Sequence, residues 1–353
     1  MLDTVQEPQR SIPPRQSGFR SRPEGREFEI RHVSSGLIAL DSQGRECGWW
    51  QLSADQDGLV LDWAGSCSSG PNIHDTLAAV ESVFAGRPEL PELLLPPALV
   101  DAAELQRIGR VATRRDGLVR IAQDDFFRFA RMWHAVADAG GTPTPPGVMP
   151  APGTTVYRRH IPWLSQLLSF RVADPERDLA RFHRWMNDPI VARFWEEEGD
   201  MAQHRERLES TLQDLNSVPL IACLDDTPFG YFEAYWAKDD RIAPHYDVGD
   251  FDRGWHVLIG EAAFRGRPYV AAWMPSISHY LFLDDRRTNR LVIEPRVDNA
   301  KMLRNLGKCG YALVKEFDFP HKRAMLGMLQ RERFFAERRW VPASPHPGSA
   351  PAV

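Results

Sequence analysis

Two stretches hold the side chains best suited to proton transfer. Asp252-Arg253-Gly254-Trp255-His256-Val257-Leu258-Ile259-Gly260 is an apolar run built around one imidazole, and Arg290-Leu291-Val292-Ile293-Glu294 is a strand that ends in a carboxylate. An imidazole and a carboxylate at the ends of adjoining strands can relieve a nucleophile of its proton and hold the charge that results. Between them, Phe264-Arg265-Gly266-Arg267-Pro268 is a basic, Gly-containing turn that opens an apolar helix. Backbone N–H groups at a helix start, flanked by guanidinium groups, suit a phosphate. Pro268 supplies no N–H there, although it fits a first helical turn.

The rest of the chain must position these groups. A length of 353 residues leads us to expect two domains, and a 43% hydrophobic fraction fills ordinary cores. The net charge of −5 argues against a nucleic-acid or membrane-surface binder. No apolar run approaches the ~20 residues that cross a bilayer. Arg10, Arg15 and Arg20 precede no apolar segment, so no secretory signal is expected and a cytoplasmic location is. Cys47, Cys67, Cys223 and Cys309 lack CxxC spacing, and His245, His256 and His279 lack HxH or HxxxH spacing, so no metal is expected.

Residues 1–26, rich in Arg, Pro, Gln and Ser, read as a disordered tail. A first domain is expected over 27–139. It starts with alternating strands at Phe28–Val33, Leu37–Leu40, Cys47–Leu52 and Gly58–Trp63, then a helix capped by Asn72. A strand at Glu92–Leu95, a helix at Asp101–Ile108, a hairpin from Val111 to Ile121 and a helix over 124–138 follow. The Pro/Gly-rich stretch 140–153 is the linker, 154–340 the second domain and 341–353 a second tail. In the second domain we expect strands near Leu167–Val172, Leu220–Leu224, Gly230–Trp236, Tyr311–Phe317 and Ala324–Leu329. Helices are expected at Asp178–Asn187, about 201–214 and Ala300–Gly307, with a loop at Asn187-Asp188-Pro189.

Leu93–Gly109 lies over Leu291–Gly307 without a gap, matching Pro97, Ala102, Leu105 and Gly109 to Pro295, Ala300, Leu303 and Gly307. The order of elements agrees too, which suggests two related halves in tandem. In this overlay the first half has Val60 and Pro96 where the second has His256 and Glu294, so the first half is structural.

Residues about 165–335 resemble the GNAT superfamily of acyl-CoA N-acyltransferases, in its siderophore-biosynthesis branch. The match is carried by Trp185-Met186-Asn187, Phe194-Trp195-Glu196, Pro219-Leu220-Ile221, Gly230–Trp236, Asp247 with Asp252, Gly254-Trp255-His256, Arg265-Gly266 and Glu294-Pro295 with Asn299. The resemblance implies an α+β fold of tandem GNAT-like mixed-sheet domains, the N-terminal one degenerate. It implies acylation of the side-chain hydroxylamine of N-hydroxylysine or N-hydroxyornithine by acetyl-CoA or another acyl-CoA, giving a hydroxamate for iron acquisition. A monooxygenase and a siderophore synthetase are the expected pathway partners.

By the same resemblance His256 is a modest base. Glu294 orients it or acts as base itself; the bland reading of Glu294 is a salt bridge to Arg296. Val257, Leu258, Ile259, Arg265, Gly266, Arg267, Tyr269, Asn299 and Arg304 are expected at the cofactor, Asn299 being alternatively a helix N-cap. Trp185, Asn187, Trp195, Glu233, Tyr235 and Trp236 are expected at the acceptor. Its ammonium is assigned to Glu233 or Asp252 and its carboxylate to Arg253 or Arg286. Many superfamily members carry a Tyr acid seven residues after the Asn; here that position is Leu306. The rival readings are a GNAT acting on another small amine such as an aminoglycoside, and a non-catalytic acyl-CoA-binding protein.

Overall fold

The computed structural model describes residues 18–341, apart from 35, 56–57, 66–71, 100–111, 114–115 and 135–148. The expected helix at Asp101–Ile108, most of the linker and the second tail therefore lie outside the described residues. Of the first tail, residues 18–26 are described, and they depart from expectation: β1 (Phe19–Ser21) pairs antiparallel with β2 (Phe28–Val33). Its Phe19 and Ser21 face inward and are buried.

The first sheet adds β3 (Gly36–Asp41), β4 (Glu46–Asp55), β5 (Gly58–Trp63), β6 (Glu92–Leu95), β7 (Ala112–Thr113) and β8 (Val119–Ala122), in the order β1-β2-β3-β4-β5-β6-β8-β7. Helix α1 (Ile73–Gly86) covers it, capped by a reciprocal Asn72–Asp75 box that satisfies its first N–H groups. The second sheet holds β9 (Thr155–Ile161), β10 (Gln166–Val172), β11 (Ser217–Leu224), β12 (Thr227–Trp236), β13 (Arg253–Ile259), β14 (Arg290–Ile293), β15 (Ala312–Asp318) and β16 (Arg323–Gln330). Its order, β9-β10-β11-β12-β13-β14-β16-β15, repeats the first sheet strand for strand. In each sheet one pair is parallel, β5·β6 and β13·β14, at the same place in the order. The protein is thus α+β, two tandem mixed sheets.

The ladder corrects one equivalence. Val60 opposes Leu94 and Gly254 opposes Val292, so two residues further along His256 corresponds to Asp62, not Val60. Asp62 is exposed, and its carboxylate accepts from the neighbouring Trp63 N–H.

Three elements differ from expectation, two in the second half and one at the end of the first. β9 was missed because Arg158, Arg159 and His160 break its apolar pattern, yet Arg159 is buried and donates to the Trp340 carbonyl. The expected loop after Asn187 is a helix, with Asp188 accepting from the Ile190 N–H and Pro189 at its start. The expected single helix over 124–138 is α2 (Gln123–Phe127) followed by a tight turn at Ala130–Met132. That break lets Phe127 stack on both Trp133 and Trp340, 4.9 and 4.4 Å between centroids. The two halves share one continuous apolar core through these rings.

Six further helices complete the second half: α3 (Pro175–Met186), α4 (Pro189–Trp195), α5 (Met201–Gln213), α6 (Arg267–Asp284), α7 (Ala300–Lys308) and α8 (Arg331–Ala336). α3 is anchored to β10 by a buried two-pronged ion pair, Arg171 to Asp178, with both contacts at 2.6 Å. Removing one partner of such a pair leaves a buried charge and costs about 3–5 kcal/mol. Among the described residues no helix is long and apolar enough to cross a membrane.

Candidate active site

Strand alternation puts Tyr231, Glu233 and Tyr235 of β12 on one face. On the adjoining β13, Glu233 is directly opposite His256 and Tyr235 opposite Gly254. A side chain at Gly254 would meet the Tyr235 ring at 2.2 Å, so only glycine lets that ring cross β13. The Tyr235 hydroxyl then donates to Glu294 Oε2 at 2.8 Å.

β13 and β14 pair only at Arg253–Leu291 and Gly254–Val292, then separate. His256 and Glu294 each stand two residues past the last rung, on the same face, across the opening. His256 is held from both sides: Nε2 lies 2.9 Å from Glu294 Oε1 and Nδ1 3.2 Å from Glu233 Oε2. Glu233 also accepts from the Tyr231 hydroxyl at 2.9 Å and Arg207 at 2.8 Å, and Arg207 continues to Glu197 at 3.2 Å. Lys322 and Arg241 approach Glu294 Oε1 at 3.5 and 3.7 Å.

These contacts fix the charges. Burial opposes the imidazolium, but the Glu294 and Glu233 carboxylates outweigh it and push His256 up to about 9. Burial alone would raise Glu294; His256, Lys322 and Tyr235 instead hold it well below the usual carboxylate range. Glu233 is lowered likewise, against its burial, by His256 and Arg207. At neutral pH the site therefore rests as an imidazolium between two carboxylates. The sequence suggested a modest base at His256; the two carboxylates raise its affinity for a proton.

Three cavities surround this cluster. One of about 180 Å³ runs beside the separated edge of β13 and is lined by Val257, Leu258 and Ile259 together with Phe264, Val270 and Trp273. Trp195 enters it and donates from its indole to the Val257 carbonyl at 3.2 Å. A second, of about 130 Å³, shares Phe194, Trp195, Val257, Asn299 and Met302 with the first and reaches His256 and Glu294. A third, polar and about 320 Å³, reaches His256 past Glu233, Tyr235 and Trp236. The imidazole is the one residue lining both the second and the third, with 22% of its side-chain surface open.

The expected cofactor residues divide. Val257, Leu258, Ile259, Gly266 and Asn299 line the first cavity, and Asn299 is also the N-cap of α7, accepting from the Met302 N–H. The N-cap reading of Asn299 holds, and the same residue borders the cavity. Gly266, at φ 137°, precedes α6, whose first turn has no side-chain cap and is left with the N–H groups of Arg267 and Tyr269. Arg265 lines the cavity, but its guanidinium already binds the Ile259 and Gly260 carbonyls and Asp188. Through its Nε and Nη2 groups it ties α4 to the end of β13. Arg267 and Arg304 are exposed, and Tyr269 packs on Phe264; none of the three lines these cavities.

The expected acceptor residues divide too. Trp195, Glu233, Tyr235 and Trp236 border cavities. Trp185 does not: it is buried, donates to Glu261 at 3.0 Å and fills the space above Gly260. Asn187 exchanges hydrogen bonds with Gly199 and fixes the loop between α4 and α5. Asp252 is paired with Arg290 and Tyr246, and Arg253 is buried between Asp284 and the Trp236 ring. Arg286 lies outside the cavities at His256. The bland reading of Glu294 fails, since Arg296 pairs with Glu196 and Asp298. Leu306 is core, so no phenol replaces the missing acid there. Arg207, Arg241 and Lys322 were not anticipated; they are single charges on a helix or turn, without a spacing signal.

A profile of the acetyltransferase (GNAT) domain matches residues 174–319. The chain is 38% identical over 295 residues to the N(6)-hydroxylysine O-acetyltransferase of Escherichia coli, covering 79% of this chain and 89% of that one. It is 45% identical over 188 residues to the N(5)-hydroxyornithine:cis-anhydromevalonyl coenzyme A-N(5)-transacylase of Beauveria bassiana, covering 53% of this chain and 41% of that protein. An uncharacterized Bacillus halodurans protein aligns at a TM-score of 0.50 and 28% identity, over 54% of this chain and 96% of that one. With this sheet and these relatives, the chain belongs to the GNAT acetyltransferase family and is an N-acyltransferase.

Proposed function

We propose that the enzyme transfers an acyl group, acetyl first, from acyl-CoA to the side-chain hydroxylamine of N-hydroxylysine or N-hydroxyornithine, making a hydroxamate for siderophore biosynthesis. The observation that carries this is the doubly clamped His256 at the junction of the cavities. An ordinary lysine amine, pKa ~10.4, is almost wholly charged at pH 7. An imidazole that is already protonated cannot strip a proton from an ammonium. It suits a nucleophile that arrives neutral, and N-hydroxylation lowers the basicity of the nitrogen enough for that. The relatives named for hydroxylysine and hydroxyornithine acceptors support the same choice.

Acyl-CoA would use the first two cavities. The separated edge of β13 and the apolar walls would hold its amide-bearing arm away from water, and the uncapped start of α6 would take a phosphate. As the new C–N bond forms, the nitrogen must lose a proton; as the C–S bond breaks, the sulfur must gain one. Glu294 accepts the first. His256 donates the second and is reprotonated across its 2.9 Å contact with Glu294. The pair ends each turnover as it began, so no separate phenolic acid is required. Glu233 keeps the ring oriented. The acceptor would come from an N-hydroxylating monooxygenase and the product pass to a siderophore synthetase.

The test is release of free CoA thiol from a set of acyl-CoAs with N-hydroxylysine, N-hydroxyornithine and their unhydroxylated parents. At pH 7.5 the hydroxylated acceptors are expected to react about 100-fold faster or more, because ~0.1% of a free lysine amine is neutral there. Equal rates with unhydroxylated lysine would overturn the assignment.

A further inference from the structure

We infer that the polar cavity on the Glu233 side of His256 is a subsite for the free α-amino-acid end of the acceptor, with Arg241 receiving its carboxylate and Asp240 its ammonium. The inference rests on the function proposed above and adds to it the residues that hold the amino-acid end of the acceptor.

The lining carries both signs. Asp214, Asp239 and Asp240 supply carboxylates, while Arg207 and Arg241 supply guanidinium groups. Arg207 is committed to Glu233, Glu197 and Thr211. Arg241 is held more loosely: its side chain is 50% exposed, its contacts to Glu294 and the Phe319 ring are long, at 3.7 and 5.5 Å, and it is an electrostatic neighbour of Asp240. Glu294 is itself satisfied by shorter bonds to His256 and Tyr235. The planar donor fork of Arg241 is therefore open to a second carboxylate, which it can grip in two-pronged fashion. Asp240 already accepts from the Ile242 N–H, which fixes its carboxylate at the cavity wall. A diamine would use the acids and leave the guanidinium beside a carboxylate-free chain end. An amino acid uses both. The same cavity opens onto His256 from the side opposite the acyl slot, so the acceptor chain can enter while the thioester is in place.

The experiment is a two-by-two comparison by thiol release. The acceptors are N6-hydroxylysine and N-hydroxycadaverine, which differ only in the α-carboxylate; the proteins are wild type and Arg241→Ala. Wild type is expected to favour the amino acid in kcat/KM by about 10–100-fold, chiefly through KM. In Arg241→Ala the KM for N6-hydroxylysine should rise by that factor, and the preference should fall towards one. Arg241→Lys should restore part of it. Asp240→Asn should weaken both acceptors, since both carry the distal ammonium. A wild-type enzyme indifferent to the carboxylate, or an Arg241→Ala enzyme that keeps the full preference, would overturn the subsite. A variant that merely misfolds would lower both acceptors together and lose its thermal transition, with Arg241→Lys then deciding. If wild type acylates neither acceptor, the proposed function itself fails.

Discussion

His256→Ala is expected to lower kcat by about 10²–10⁴-fold, the usual worth of a positioned acid–base group, with KM for acyl-CoA little changed. The imidazole touches the acyl slot with one edge only; the slot's walls are made by β13, α4, α6 and α7, which the substitution leaves in place. What goes is the donor for the departing sulfur and the partner of Glu294. Removing the ring also leaves Glu233 and Glu294, both buried, facing each other without the cation between them. Some of the loss should therefore appear as a lower unfolding temperature. The check is steady-state kinetics with varied acyl-CoA, beside a thermal melt. An unchanged kcat would remove His256 from the chemistry.

Glu294→Gln should cost kcat about 10²-fold or more and should also move its pH dependence. In the wild type, His256 is raised to about 9 against its burial, with Glu294 the foremost counterweight. Activity that needs the imidazolium then persists through neutral pH and falls as pH rises through about 9. With glutamine at 294, burial still penalises the charge and Glu233 alone opposes it, so the alkaline limb moves to lower pH. The stabilities follow the same signs. Stabilisation from the raised imidazole is complete below its ordinary value of 6.5 and lost as pH rises through about 9. Stabilisation from the lowered Glu294 is present above the ordinary carboxylate value and lost only in strong acid. A pH–rate profile of kcat/KM for both proteins tests this; an alkaline limb that does not move would show that Glu294 does not set the charge of His256.

The meeting of His256 and Glu294 was legible because both residues interrupt otherwise apolar strands, and nothing but chemistry or a buried partner keeps a charge there. The tandem order was legible from the alternation of strand and helix patterns. Its rung-by-rung equivalence was not, because strand pairing, which spacing alone does not give, sets which residue of β5 corresponds to His256. The charge of His256 was hidden for a related reason. Glu233 sits 23 residues away in sequence and meets the ring only through the β12·β13 register. Arg207, Arg241 and Lys322 read as ordinary surface charges until the fold brings them to Glu233 and Glu294. Trp185 erred the other way: an aromatic in a matching motif whose indole serves the core and Glu261.

The central claim is that His256 is an imidazolium at rest, clamped by Glu294 and Glu233. Nitrogen NMR of the histidine side chains, titrated from pH 6 to 10 with His256 assigned by substitution, reads this directly. Two protonated ring nitrogens at pH 7.5 and a midpoint near 9 are the expected result. A ring that is neutral at pH 7.5, with one bare nitrogen and a midpoint near 6.5, would contradict it.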